Sequence, residues 1–199
     1  MQDKRNAVAS LDPYSLTRHV SDTGPAPVHL WNPPFCGDMD MRIAADGVWY
    51  HEGRPIRRQA MVRLFSSILK REDDEYFLVT PVEKVRIQVE DCPFVAVLMD
   101  VEKKGKGKPE RERRRARQRL VFTLNTGEQI SADANHPIEV TTAVDGQPHP
   151  TLHVRNQLRA LLGRNVFYAL VEMAEVQEVD GRTVSGVRSE GCFFELGNL

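Results

Sequence analysis

The chain has few cysteines and no long apolar stretch, and these absences exclude several classes of protein. Three of its 199 residues are cysteines, Cys36, Cys92 and Cys192, which lie far apart and form no C-x-x-C pair. This spacing argues against a disulfide framework and fits a reducing compartment. No run approaches the roughly 18 consecutive apolar residues of a membrane helix, and the N-terminal segment lacks the apolar core of a secretory signal. The sequence therefore predicts a cytoplasmic protein with no membrane partner, no metal site and no cofactor.

Catalytic signatures are also missing. The sequence contains no G-x-x-x-x-G-K-[ST] phosphate loop, no G-x-G-x-x-G turn after a strand, no G-x-S-x-G elbow and no H-E-x-x-H zinc motif. His149 and His153 have the i, i+4 spacing of a helical ligand pair, but Pro150 between them disfavours a helix. Neither motif-based catalysis nor a zinc site is predicted.

Charge is balanced overall but concentrated at one place. The net charge is −1, while residues 103–119 carry ten basic and two acidic residues, so that segment contributes +8 and the remainder −9. Such a run can neutralise nucleic-acid phosphates. It has no aromatic residue for base stacking, however, and the remainder of the chain is acidic. We therefore predict a solvated loop, with weak nucleic-acid binding as the less favoured alternative.

Hydrophobic periodicity predicts an α+β fold. Asp46-Gly47 provides the positive φ that a tight hairpin needs. Apolar residues in 57–71 recur at the spacing of an amphipathic helix, and a second helix is predicted at 165–176. Strands rich in β-branched or alternating apolar residues are predicted at 76–80, 85–89, 94–101, 120–124, 129–132, 138–142, 183–187 and 192–196.

The two predicted helices align as an internal repeat. At an offset of 106 residues Arg58 falls on Arg164 and Leu64 on Leu170. Chance agreement is the alternative, because any two amphipathic helices align in some register. A true repeat predicts two similar small lobes with a ligand site in the cleft between them, since pockets favour domain interfaces. The predicted segments are an irregular leader at 1–30, an N-terminal lobe at 31–102, a basic loop at 103–118 and a C-terminal lobe at 119–199.

The segment WNPPFCGDMDMRI, at residues 31–43, has the densest mixture of chemically distinctive side chains. We interpret it as a structural corner, with a turn at Gly37-Asp38 and a small buried Cys36. The alternative is a hydrolase that uses Asp38 and Asp40 with Cys36 or His136, because paired carboxylates can act as acid and base.

Cationic side chains elsewhere in the chain suggest an anionic ligand. Arg42 lies between Met41 and Ile43, so on a strand it points to the opposite face, where it could meet a carboxylate or phosphate. Surface ion pairs are the commoner role of such residues. The predicted ligand-binding residues are Trp31, Arg42, Lys84, His136, Arg155, Asn156 and Arg164.

Several segments together resemble the proteobacterial domain-of-unknown-function family numbered 1285. They are WNPPFCGDMDMRIAADGVWYHEGRPI, RLFSSIL, YFLVTPVEKVRIQVEDCPF, ADANHPIEV and LHVRNQLRALLGRNVFYALVE. The resemblance implies duplicated α+β lobes, the second loosely like a pleckstrin-homology barrel, and a nucleotide-like ligand bound between the lobes in signalling. No enzymatic activity is established for the family. The basic loop is a departure, so no family role is assigned to it.

These patterns together favour a non-enzymatic, cytoplasmic ligand-binding or regulatory module. Its expected ligand is a small anionic molecule, because the predicted site residues are mainly cationic. Edge strands of the predicted sheets expose unpaired backbone N–H and C=O groups, which proteins often satisfy by pairing with a second copy. We therefore also expect a homodimer.

Overall fold

The computed structural model describes residues 25–103 and 118–198 of a chain that divides into two compact units. These units are Met1–Glu90 and Asp91–Leu199. The described residues form fifteen strands and two α-helices, so the chain is strongly β-rich rather than the predicted α+β fold. No helix in these ranges is both long and apolar enough to cross a membrane. Most of the predicted leader and basic loop, residues 1–24 and 104–117, lies outside the described residues.

The first unit is a single six-stranded sheet with one α-helix. The strands are ordered β3-β2-β1-β6-β5-β4, and β1 and β6 run parallel while the other neighbours are antiparallel. In chain order these elements are β1 (Phe35–Ile43), β2 (Trp49–His51), β3 (Arg54–Pro55), α1 (Gln59–Ser67), β4 (Leu69–Glu72), β5 (Glu75–Val79) and β6 (Lys84–Val89).

Helix α1 is shorter than the sequence predicted. The apolar stripe predicted a helix over 57–71, but α1 ends at Ser67 and strand β4 follows. The hydroxyls of Ser66 and Ser67 donate to backbone carbonyls three residues earlier, at 2.8 and 2.7 Å, which competes with helix propagation. Because β4 pairs with β5, Leu69 reaches the core as a strand residue.

The segment at residues 31–43, which was predicted to be a structural corner, instead contains the bulged strand β1. β1 continues through Gly37, whose φ of 116° and adjacent register shift mark a bulge. Cys36 is exposed, so its predicted burial was wrong. Asp38, which was predicted in a turn, lies opposite Arg86 in the parallel ladder and forms an ion pair with it at 2.6 Å.

The second unit contains two sheets and one α-helix. One sheet has the order β10-β11-β12-β7-β8-β9, with β12 parallel to β7, and the other is the antiparallel sheet β13-β14-β15. In chain order the elements are β7 (Phe94–Lys103), β8 (Gln118–Leu124), β9 (Gln129–Ser131), β10 (Ile138–Thr142), β11 (Pro148–Arg155), β12 (Leu158–Leu162), α2 (Arg164–Glu172), β13 (Glu175–Val179), β14 (Arg182–Ser189) and β15 (Cys192–Asn198).

Three features of the second unit differ from the sequence prediction. Its boundary precedes β7, which the sequence assigned to the lobe at 31–102, because β7 pairs with β8 and β12. Helix α2 ends at Glu172, short of the predicted 176, since the residues from Glu175 pair with β14. Strands β11 and β12 were not predicted, and prolines at 148 and 150 weaken the strand signal of β11.

The two units share an order of elements, which confirms the predicted duplication. In each unit a helix follows a strand hairpin and precedes a three-stranded antiparallel meander. The offset of 106 carries β4 onto residues 175–178, which lie inside β13. The second unit adds β7, β8 and β9 before its repeat. The likeness to a pleckstrin-homology barrel stays a prediction.

A buried hydroxyl connects the two sheets of the second unit. Ser189, at the end of β14, is fully buried. Its Oγ accepts from the Leu120 N–H at 2.9 Å and donates to the Ala132 carbonyl at 2.6 Å. One side chain therefore satisfies two backbone groups of the larger sheet from a strand of the smaller one.

We expect Ser189→Ala to destabilise the second unit by about 1–3 kcal/mol, because two buried backbone groups lose a hydrogen-bond partner. Differential scanning calorimetry of the full chain measures the change as a lower unfolding temperature. Ser185→Ala, on the same strand, is the matched control and should alter the free energy of unfolding by less than about 0.5 kcal/mol. Equal destabilisation by the two substitutions would contradict the bridging role of Ser189.

Candidate functional site

Two histidines of the second unit meet where the loop after β9 approaches the end of β11. The rings of His136 and His153 have centroids 6.1 Å apart. His136 lies in the loop, and His153 lies on β11, before the turn at Asn156. We call His136, His153 and the residues that hydrogen-bond to them, Asp133, Asn135 and Asn156, the histidine cluster.

Asp133 organises the loop side of the histidine cluster. Its Oδ1 accepts from the backbone N–H groups of Asn135 at 2.8 Å and His136 at 2.9 Å, as in an Asx turn. The same oxygen is 3.0 Å from His136 Nδ1. Burial opposes ionisation of Asp133, but hydrogen bonds from Asn135 and His136 hold the pKa of this carboxyl below its usual value. An ionised carboxylate only accepts hydrogen bonds, so the contact with Asp133 places a hydrogen on His136 Nδ1 and leaves Nε2 outside this bond.

His153 is held by backbone carbonyls on both sides of its ring. Its Nδ1 lies 2.9 Å from the Asn135 carbonyl oxygen, and its Nε2 lies 2.6 Å from the Asn156 carbonyl oxygen. Asn156 adopts a φ of 51°, a left-handed conformation that asparagine tolerates better than most residues. Both ring nitrogens therefore lie within hydrogen-bond distance of backbone carbonyl oxygens, and these contacts orient the ring.

Arg155 and Arg164 are the remaining predicted site residues of this unit. Arg155 forms an ion pair with Glu128 at 2.8 Å, and its guanidinium carbon lies 5.0 Å from the centroid of the Phe94 ring. Arg164 is exposed at the first residue of α2. The structure therefore brings His136 and Asn156 together through His153, and Arg155 lies two residues after His153 on the same strand.

The predicted ligand residues of the first unit do not converge. Arg42 forms an ion pair with Glu90 and lies 4.4 Å from the centroid of the Tyr50 ring. Arg42 is opposite Gln88 in the parallel ladder, four residues along β6 from Lys84. Four strand residues span about 13 Å, so the two cations occupy different ends of the strand pair.

Lys84 and Trp31, the other two predicted residues of the first unit, do not form a ligand site together either. Lys84 forms an ion pair with Glu72 at 2.8 Å and lies 4.7 Å from the centroid of the Phe77 ring. Hydrogen bonds from Lys84 and Lys70 hold the pKa of Glu72 below its usual value. Trp31 is half-buried and follows a short 3-10 helix, Val28–Leu30.

The geometry offers little support for the alternative hydrolase. The guanidinium of Arg86 donates to both oxygens of Asp38 and holds the pKa of that carboxyl below its usual value, as expected of a permanently ionised group. Cys36 Sγ donates to the Pro34 carbonyl at 3.4 Å. Asp40 is exposed on the same strand, and His136 belongs to the other unit.

A groove of about 600 Å³ lies between the edge strands β10 and β15 of the second unit. This volume falls in the range of small-molecule sites. Its two carboxylates are engaged, because Glu139 pairs with Arg159 at 2.7 Å and Glu195 pairs with Arg182 at 3.3 Å. None of the seven predicted ligand-binding residues lines it.

Sequence reasoning missed Asp133 and His153 as site residues. It also missed a separate group, Asp91, Cys92 and His149, whose potential ligand atoms lie within 4.8 Å of one another. The Asp-x-x-His spacing of Asp133 and His136 was the available signal for the loop. His153 was considered only as a helical partner of His149. Both histidines lie on strand β11, where His149 contacts Asp91 and His153 contacts Asn135.

Comparisons with known proteins identify the family. The N-terminal domain of the family described as domain of unknown function DUF1285 matches residues 26–92, and its C-terminal domain matches residues 93–196. The crystal structure of a DUF1285 family protein from Silicibacter pomeroyi DSS-3 is 47% identical with a TM-score of 0.80, covering 94% of this chain and 95% of that one. Another, from Shewanella baltica OS155, is 32% identical with a TM-score of 0.50, covering 67% and 91% respectively. A search of curated proteins found no match. The chain therefore belongs to the DUF1285 family.

Proposed function

We propose that the chain is a non-enzymatic, cytoplasmic regulatory module that binds a small anionic ligand at the histidine cluster. The observation that carries this proposal is the pair of contacts between His153 and the carbonyl oxygens of Asn135 and Asn156, at 2.9 and 2.6 Å. They hold a half-buried imidazole in a fixed orientation beside a second histidine. A phosphate or carboxylate group is the complementary ligand chemistry.

The charges around the cluster explain why His153 is central. Arg155 is balanced by Glu128, and His136 faces the ionised Asp133. His153 differs, because its described partners are neutral carbonyl dipoles. A bound anion would therefore meet no paired carboxylate at His153, whereas at His136 it would lie near Asp133.

A nucleotide-like molecule is the ligand class that the family resemblance favours, and its phosphate groups fit this proposal. The proposed site uses only second-unit residues and includes His136 and Asn156 from the sequence prediction. The predicted cleft site and the homodimer stay predictions. Arg42 and Lys84 are engaged by Glu90 and Glu72, so these first-unit residues are not part of the proposed site.

We expect the full chain to bind inorganic phosphate or a nucleoside mono-, di- or triphosphate at pH 6, measured by isothermal titration calorimetry. His153→Gln should weaken the tightest of these interactions at least tenfold, about 1.4 kcal/mol, because the imidazole that would lie beside the anion with no paired carboxylate is lost. His136→Gln should weaken it less. His29→Gln, an exposed histidine of the first unit, is the control and should bind as the wild type does. No binding of any probe, or equal binding by all variants, would contradict the proposal.

A further inference from the structure

Asp91, Cys92 and His149 form a second cluster in the second unit, which we call the Asp-Cys-His cluster. Asp91 and Cys92 lie in the short connection that precedes β7, and His149 is the second residue of β11. One carboxylate oxygen, the thiol sulfur and one imidazole nitrogen lie within 4.8 Å of one another. Asp91 and His149 are 58 residues apart in the chain, so folding creates this grouping.

The imidazole and the carboxylate of this cluster face each other directly. His149 Nε2 is 2.9 Å from Asp91 Oδ1 and 3.0 Å from Oδ2. Their side chains are 28% and 31% exposed, whereas Cys92 is only 6% exposed. The cluster therefore has a buried sulfur on one side and a route from solvent on the other.

We propose that the Asp-Cys-His cluster binds a divalent transition-metal ion, with Zn²⁺ as the best match. Thiolate, imidazole and carboxylate are the three side-chain ligands that Zn²⁺ takes in proteins. The thiolate and the imidazole disfavour Mg²⁺ and Ca²⁺, which prefer oxygen ligands. Three protein ligands leave one tetrahedral position for water or a small ligand, the ligand count of catalytic zinc sites.

The spacing of the cluster is compatible with this coordination. Zinc bonds of about 2.0–2.3 Å in a tetrahedron separate neighbouring ligand atoms by about 3.3–3.6 Å. The hydrogen-bonded Asp91 and His149 atoms are slightly closer than this, at 2.9 Å, and the whole set is within 4.8 Å. Small side-chain rotations, with no change of strand register, would bring all three atoms to one ion.

Metal binding would replace the hydrogen bond between Asp91 and His149. The ion takes the lone pair of the imidazole nitrogen, so its hydrogen leaves or moves to Nδ1, and Cys92 releases its thiol proton to solvent. The thiolate and the carboxylate then balance the two positive charges of the ion. No oxidant or reductant is needed.

The sequence predicted no metal site, because the cysteines have no paired spacing and His149 was tested only against His153. Both arguments concern ligands close together in the chain. The Asp-Cys-His cluster instead combines two adjacent residues with a distant strand. It shares no residue with the histidine cluster, so the two proposals succeed or fail independently.

Cobalt substitution tests the metal site on the full chain. Purified protein, reduced and stripped of metal with a chelator, is titrated with Co²⁺, whose bond to a thiolate produces a near-ultraviolet charge-transfer band. We expect a band that saturates at one Co²⁺ per chain and disappears when Zn²⁺ displaces the cobalt, since Zn²⁺ binds such sites more tightly. Zn²⁺ should also raise the unfolding temperature by mass action.

Substitutions assign the band to the cluster. Cys92→Ser should abolish it, and His149→Gln and Asp91→Asn should each weaken Zn²⁺ affinity at least tenfold. Cys36→Ser and Cys192→Ser are the matched thiol controls and should keep both band and affinity. Circular dichroism checks the folding of every variant, and His149→Gln decides the question if Cys92→Ser does not fold.

Three results would overturn the proposal. The first is a wild-type chain with no saturable band. The second is an affinity that His149→Gln leaves unchanged. The third is equal binding by every variant, which would indicate adsorption elsewhere on the surface.

Discussion

Both candidate sites depend on the placement of β11, which pairs with β10 beside the histidine cluster and reaches β7 through β12. The parallel register of β12 with β7 joins Ala160 to Phe94, both fully buried, so these two strands meet in the core. β12 also pairs with β11, the strand that carries His149 and His153. Cys92 lies two residues before Phe94 in the chain. A shift of this register would move His149 away from the connection before β7, and a one-residue shift would turn side chains to the opposite face.

Among the residues that the structure describes, ion pairing is the usual role of the arginines and lysines. Arg42, Lys84 and Arg155 each meet a carboxylate, and each also lies over an aromatic ring. Such pairs contribute little when exposed, but they occupy the donors that an anionic ligand would need. His153 differs because carbonyl oxygens surround it. An anion would meet no paired carboxylate at this residue, which is why the proposed site is centred on it.

Local pattern was enough to locate most elements and failed where pairing between distant residues took precedence. Strands β5 to β8 were predicted from alternating or β-branched residues, and both helices were located by their apolar stripes. Both helices were predicted too long, because Leu69 and Val176 continue the stripes, while pairing with β5 and β14 makes them strand residues. β11 was missed because its prolines resemble a loop. Of the predicted site residues, only His136 and Asn156 meet through a shared neighbour.

The sequence by itself determined the family, the duplication, the balance of charge and the residue types available for binding. These properties depend on composition and on order along the chain, which need no knowledge of distant contacts. Only the tertiary structure decided which side chains meet, such as Asp91 with His149 across 58 residues, or the loop at His136 with the strand at His153. Sheet register brings these residues together, and register is set by burial and backbone hydrogen bonding over the whole sheet.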